Sequence, residues 1–195
     1  MMTTFDQIKL KAKQDKIPSM QEEGLFYCEH LIQSQSLKNI LEIGTGHGIW
    51  SIHMALTHKD LKIMTIELNQ KRAKIAIQNI LELNLQDRIT VINQDALTVE
   101  LTEKYDLIFI DGPKSQNRAL FIKVLPYLNR NGYILVDNLD FHGETHTDQT
   151  QSRDLKQLVR KINTFKDWIL NDSDLNIKAL EFGDGLMLIS RKYEP

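Results

Sequence analysis

The chain has 195 residues, enough for one well-filled core, and its 42% hydrophobic and 26% charged content is that of an ordinary globular protein. A formal net charge of −2 excludes a globally basic nucleic-acid binder or a surface drawn as a whole to anionic membrane. Cys28 stands alone, which excludes an intrachain disulfide, and no apolar run approaches the roughly 20 residues that span a bilayer.

The opening M-M-T-T-F-D-Q lacks the charged start and apolar core of a signal peptide, so a cytoplasmic protein is expected. Residues 5–16 are polar and lysine-rich (Lys9, Lys11, Lys13, Lys16), with too few apolar positions for a core helix. Pro18 and Ser19 mark a boundary. From Met20 a helix is predicted with Gly24, Tyr27, Cys28, Leu31 and Ile32 on one face, lying over a ligand cleft. Ile40, Leu41 and Ile43 form a short apolar run that ends in glycine, the mark of a buried strand. Beyond Gly48 the period changes to that of a helix, through Ile49, Ile52 and Leu56. Gly44, Gly46 and Gly48 therefore sit in a strand-to-helix turn, where bare backbone lets a ligand lie close and the helix start favours an anionic group. A dinucleotide fingerprint would need glycine at position 49, which is Ile, so a nicotinamide oxidoreductase is disfavoured.

Strands are predicted next at Ile63–Ile66, Ile89–Ile92, Tyr105–Ile110 and Tyr133–Val136. The helices between them carry Ala73, Ala76, Ile77, Ile80 and Leu81, then Leu120, Phe121, Val124, Leu125 and Leu128. A long last helix carries Leu155, Leu158, Val159, Ile162, Phe165 and Ile169. Two strands, around Ile177–Leu180 and Leu186–Ile189, are too close for a crossover and must pair antiparallel. The alternation implies a mostly parallel α/β sheet covered on both faces.

Such sheets bind ligands beyond the carboxyl ends of their strands. Those ends carry the glycine turn, Glu67, Asp95, Asp111 and Asp137-Asn138. Glu67, 23 residues after Gly44, suits a grip on ribose hydroxyls. Asp95 reads equally well as a ligand contact or as a loop acid. Asp111, Asp137 and Asn138 offer two carboxylates and an amide carbonyl from neighbouring strands, hard ligands for Mg²⁺. Lys114, beside such a metal, would tend to lose its proton and become a base. His47 either touches the ligand or fills the turn. His142 and His146 frame a loop and do not make a zinc motif, and His30, His53 and His58 receive no role.

With Glu42 two residues ahead of it, G-T-G-H-G resembles the first motif of class I S-adenosylmethionine (SAM) methyltransferases. From Pro18 onward the chain is similar to the metal-dependent O-methyltransferases of catechol O-methyltransferase type, through L-E-I-G-T-G, T-I-E, F-I-D-G-P-K, V-D-N and the closing G-D-G-L. Within that family it most resembles the bacterial tRNA 5-hydroxyuridine methyltransferases, through Ile17-Pro18-Ser19-Met20 and Asp167-Trp168-Ile169-Leu170-Asn171. The resemblance implies a Rossmann-like, seven-stranded sheet with an antiparallel last strand, as one domain over 1–195 with residues 1–36 a helical cap. It implies metal ligation by Asp111, Asp137 and Asn138, with Lys114 and Asp111 catalytic. SAM would be held by Met20, Glu42, Gly44, Gly46, Gly48 and Trp50 on one side. Glu67, Asp95, Ala96 and Asp111 would hold it on the other. The implied reaction is Mg²⁺-dependent methylation of wobble 5-hydroxyuridine in tRNA, or of a small catechol-like phenol, by a protein compatible with a homodimer. The chain departs from its relatives in Ile49-Trp50 after the turn, where many have Tyr-Ser, in a short N-terminus, and in a modestly basic last helix (Arg153, Lys156, Arg160, Lys161).

Overall fold

The computed structural model describes residues 2–137, 139, 153–181 and 185–192. Its strands are β1 (Asn39–Ile43), β2 (Lys62–Ile66), β3 (Ile89–Ile92), β4 (Tyr105–Ile110), β5 (Leu128–Val136), β6 (Leu175–Leu180) and β7 (Leu186–Arg191). They form one sheet in the order β3-β2-β1-β4-β5-β7-β6. The first five are parallel, while β7 runs antiparallel to both β5 and β6. The predicted doubly covered, mostly parallel α/β sheet is thus the observed one.

Alternation along each central strand divides the core in two. Ile40, Leu107, Phe109 and Leu135 face α2 (Glu22–Ser34), α3 (Ile49–Thr57) and α4 (Gln70–Glu82). Leu41, Ile43, Ile108, Ile110, Ile134 and Val136 face α5 (Asn117–Val124) and α6 (Arg153–Leu170). Each such side chain contributes ~1.5–3 kcal/mol by leaving water, so register is strongly fixed where both faces are buried. Asp106 also locks β1 to β4: its Oδ2 accepts the Lys38 and Asn39 amides, both at 2.9 Å, and its Oδ1 the Asn129 side chain at 2.6 Å. The paired ends Ile43, Ile110 and Val136 consequently stop together, which is what brings the polar residues after them to one rim.

Two expectations need correction. Residues 5–16 do include a helix, α1 (Thr4–Gln14), opened by a capping box between Thr3 and Asp6. Its apolar stripe is narrow, but Ile8 and Ala12 suffice to pack on Ile49 and seal one side of the glycine turn. The second concerns the helix predicted through Leu128. It ends at Val124, gives way to a 3₁₀ turn containing Pro126, and Leu128 already belongs to β5. Proline fixes φ and cannot donate an N–H, so the regular helix stops just before it. No described helix is long and apolar enough to cross a membrane.

Candidate active site

The β1–α3 turn owes its shape to positive φ at Gly44 (102°), Gly46 (55°) and Gly48 (82°). At Gly44 the requirement is also spatial, since a Cβ would stand 2.3 Å from the Asp111 carbonyl oxygen. Only glycine lets β1 and the end of β4 approach this closely. The Gly44 amide donates to the Ile66 carbonyl at 2.9 Å, and the Gly46 amide to Glu67 Oε2 at 2.9 Å. Glu67 Oε1 accepts the Asn69 amide at 2.9 Å, just where Asn69 caps α4 through Lys71 and Arg72. Glu67 is therefore buried and tied into two turns, and is not a solvated loop acid.

Behind the turn lies Glu42, 1% exposed. Its Oε2 accepts the hydroxyls of Ser51 and, at 2.5 Å, Thr65, whose oxygen also meets Thr45 Oγ1 at 2.6 Å. Burial pushes this carboxyl up to about 8, against the pull of the Ser51 and Thr65 hydrogen bonds. Burial thus favours the protonated form of Glu42, which braces the turn from three elements.

The turn and the neighbouring strand ends enclose a cleft of about 910 Å³. Met20, Glu42, Gly44, Gly46, Trp50, Glu67, Asp95, Ala96, Asp111, Lys114 and Asp137 all line it. Gly48 does not line the cleft. It is the N-cap of α3, and its Cα faces Ile52 and Ala76. Asn138 lies outside the described residues, as do His142 and His146. Asp95 Oδ1 accepts the Leu97 amide at 2.9 Å, so this acid braces its own loop at the mouth of the cleft. Met20 enters from the segment before α2, its Sδ 3.8 Å from the buried Cys28 Sγ. Trp50 stacks on Phe109, ring centroids 4.7 Å apart, and both line the cleft.

At the β4 end, Lys114 Nζ lies 3.0 Å from Asp111 Oδ1 in a partly buried pair. Burial pushes the Asp111 carboxyl up, while the Lys114 ammonium pulls it back. The Asp137 amide donates to the Ile110 carbonyl at 3.1 Å, which sets Asp137 beside Asp111 on the same wall. Among the described residues no three His, Cys, Asp or Glu side chains cluster closely enough to hold a metal. Among the described residues, the carboxylates at this end of the cleft are those of Asp111 and Asp137.

Ile17, Thr45 and Phe109 fall in the motifs quoted above but were given no site role there, and all three line the cleft. Thr45 was findable as the variable residue of G-T-G. Phe109 was findable two residues before Asp111 on β4, whereas Ile17 reaches the cleft only through packing between distant segments. His47 fills the turn: it is buried, its carbonyl accepts the Asn79 amide group at 2.9 Å, and its ring also borders the cleft, Nε2 lying 3.9 Å from Asp15.

Known proteins similar to this chain include several O-methyltransferases. A Staphylococcus aureus protein described as a caffeoyl-CoA O-methyltransferase superposes with a TM-score of 0.91 at 28% identity, over 97% of this chain and 93% of its own. The Bacillus cereus O-methyltransferase in complex with S-adenosylhomocysteine (SAH) gives 0.83 at 28% identity, over 97% and 90%. Catechol O-methyltransferase from Mycobacterium tuberculosis is 30% identical over 132 residues, 66% of this chain and 60% of that protein. The family model described as O-methyltransferase matches residues 1–192. A glycine turn braced by Glu42 and Glu67, opening on a cleft of cofactor size, together with that match, places the chain in the O-methyltransferase family, as a SAM-dependent enzyme.

Proposed function

We propose that this enzyme works with a divalent cation, Mg²⁺ by its donor set, and methylates a hydroxyl that has a second oxygen beside it on a flat ring. The observation that carries the reading is the meeting of Asp111 and Asp137 beyond the paired residues Ile110 and Val136, with Lys114 against Asp111. Two carboxylates on one wall, one of them driven toward protonation by burial, are a donor set that a hard cation satisfies. Asn138, next in the chain, would add an amide oxygen. Such a cation supplies Lewis acidity, lowering the pKa of the acceptor hydroxyl.

The chain's own residues do the rest. Lys114 Nζ is placed to take the hydroxyl proton. Gly44, Gly46, Glu67, Asp95 and Ala96 hold SAM, with Met20 and Trp50 bordering its methionine end. The Trp50–Phe109 stack excludes water from the path of the methyl, and much of the rate then comes from positioning. The catechol named for the mycobacterial relative has the required pair of oxygens. So does 5-hydroxyuridine of the tRNA wobble position, with its 5-hydroxyl beside O4. The specific observation in favour of that second reading is the set of cations beside Lys114.

The test is turnover of labelled SAM with a catechol panel and with unmethoxylated tRNA. EDTA should abolish it and Mg²⁺ restore it, and Asp137→Ala should lose metal-dependent turnover while binding SAM within about threefold of wild type. Full activity after EDTA treatment would overturn the metal role.

A further inference from the structure

Two strand ends give consecutive residues to the cleft wall: Glu67, Leu68 and Asn69 after β2, and Gln94, Asp95 and Ala96 after β3. The two strands pair in parallel up to Ile66 and Ile92, and the Glu67 amide still donates to the Ile92 carbonyl at 3.0 Å. One further step of that ladder would have the Gln94 amide donate to the Glu67 carbonyl. β3 stops at Ile92 instead, and the side-chain amide of Asn93 takes the place. Its Nδ2 donates to the Glu67 carbonyl at 2.7 Å and to the Leu68 carbonyl at 3.2 Å. A side chain thus closes the pairing, and the main chain from Gln94 turns into the cleft wall.

Glu67 is tied on three sides: its carboxylate accepts the Gly46 and Asn69 amides, and its carbonyl accepts Asn93. Leu68 differs. It is 66% exposed, so packing does little to hold it, and the Asn93 amide ties its carbonyl to the β3 side. An NH₂ group carries two donors, one for each carbonyl, which aspartate and alanine lack. Asn93 itself is exposed and does not line the cleft. Water can therefore replace its hydrogen bonds, and the fold loses little when it is removed. What the wall loses is a fixed position. A ligand that fits one position binds only the fraction of molecules that hold it, and its affinity falls by that fraction.

We propose that Asn93 is a positioning residue for the methyl donor, setting the spacing between Glu67-Leu68 and Gln94–Ala96 at which the adenosine half of SAM fits. The inference rests on the reading above in which Glu67, Asp95 and Ala96 hold SAM. It concerns affinity and not the chemical step. Asn93 lies outside the cleft that Asp111 and Lys114 line, so an enzyme molecule that has bound SAM reacts at its ordinary rate.

The experiment is calorimetry on the full chain with SAH and with 5′-methylthioadenosine, which keeps the adenosine half alone. In Asn93→Ala both should bind about five- to tenfold more weakly and by the same factor, the change that one lost hydrogen bond gives. Asn93→Asp sets a carboxylate against two carbonyls beside Glu67 and Asp95, so its loss should be larger. With SAM and any acceptor that turns over, KM for SAM should rise by the factor seen for SAH while kcat stays within about twofold. The role is overturned if both variants bind within about twofold of wild type, if the loss for SAH is not shared by 5′-methylthioadenosine, or if kcat falls at unchanged KM. Glu67→Gln separates this inference from the reading beneath it. If it weakens both ligands while the Asn93 variants do not, the SAM site stands and the Asn93 role falls. If Glu67→Gln binds both ligands as wild type does, SAM lies elsewhere and both fall.

Discussion

Gly44→Ala is the sharpest test of how the turn holds the site together. The new Cβ would stand 2.3 Å from the Asp111 carbonyl oxygen and 2.8 Å from its carbonyl carbon. Both atoms are backbone, so no rotamer change relieves the overlap. A non-glycine residue held at φ 102° costs ~1–3 kcal/mol, and forcing an atom into filled space costs about as much again, ~1–3 kcal/mol. In a chain of this size each ~1 kcal/mol lowers the melting temperature by roughly 2–4 °C, so a loss of roughly 4–24 °C is expected. The overlap also pushes the end of β4 away from β1. SAM affinity and catalysis should therefore fall together, by on the order of tenfold or more for SAM. Gly112→Ala is the control: its Cβ would meet the side-chain atoms Leu120 Cδ1 at 3.0 Å and Ile43 Cγ2 at 3.4 Å, which can yield. Thermal unfolding followed by far-UV circular dichroism, with calorimetric titration of SAM, measures both. If Gly44→Ala melts within roughly 2 °C of wild type and binds SAM normally, the close approach of β1 and β4 is not what fixes the site.

Glu42 gives a pH prediction. Its carboxyl, ordinarily near 4.5, is raised by burial to about 8, so the folded state keeps a proton that the unfolded chain releases. The stability it contributes is fully present below pH 4.5 and is lost as pH rises toward 8, by up to ~1.4 kcal/mol per pH unit. Glu42→Gln, which cannot ionise, should flatten that part of the profile in denaturant titrations between about pH 5 and pH 8. An unchanged slope would show that Glu42 is ionised in the fold. Cys28 provides a probe of integrity: burial pushes its thiol up to about 12, so a thiol reagent should label it only on unfolding, and rapid labelling of native enzyme would contradict the packing around α2.

The glycine turn and the acids at the strand ends were legible because each is fixed by its own strand: once β1, β2, β4 and β5 are placed, Gly44, Glu67, Asp111 and Asp137 follow. What needed the structure were features assembled from separated segments. Nothing near Glu42 in the sequence says that Ser51 and Thr65 take its oxygen, or that it points behind the turn. Gly48 sits in the motif like its neighbours, yet it serves α3 and leaves the cleft to Gly44 and Gly46. The N-terminal helix escaped because Ile8 and Ala12 are a slender apolar stripe among lysines, although Thr3 and Asp6 spelled a capping box. The start of β5 was hidden by the polar run Asn129-Arg130-Asn131-Gly132. Arg160 and Lys161 stood out as charges on a helix, but the hollow of about 370 Å³ that they line with Arg118 is visible only once α6 lies against the turn before α5.

The position of β7 bears on how the protein is made. β6 is synthesised before β7, yet in the finished sheet its hydrogen-bonding partner is β7, which separates it from β5. During translation β1 to β5 can pair as they emerge, since each finds its neighbour among residues already made. β6 has no such partner until Leu186–Arg191 has left the ribosome. Nascent chains stalled after β6 but before β7 carry an open edge on β5 and an unpaired β6, the kind of surface that chaperones hold and aggregates capture.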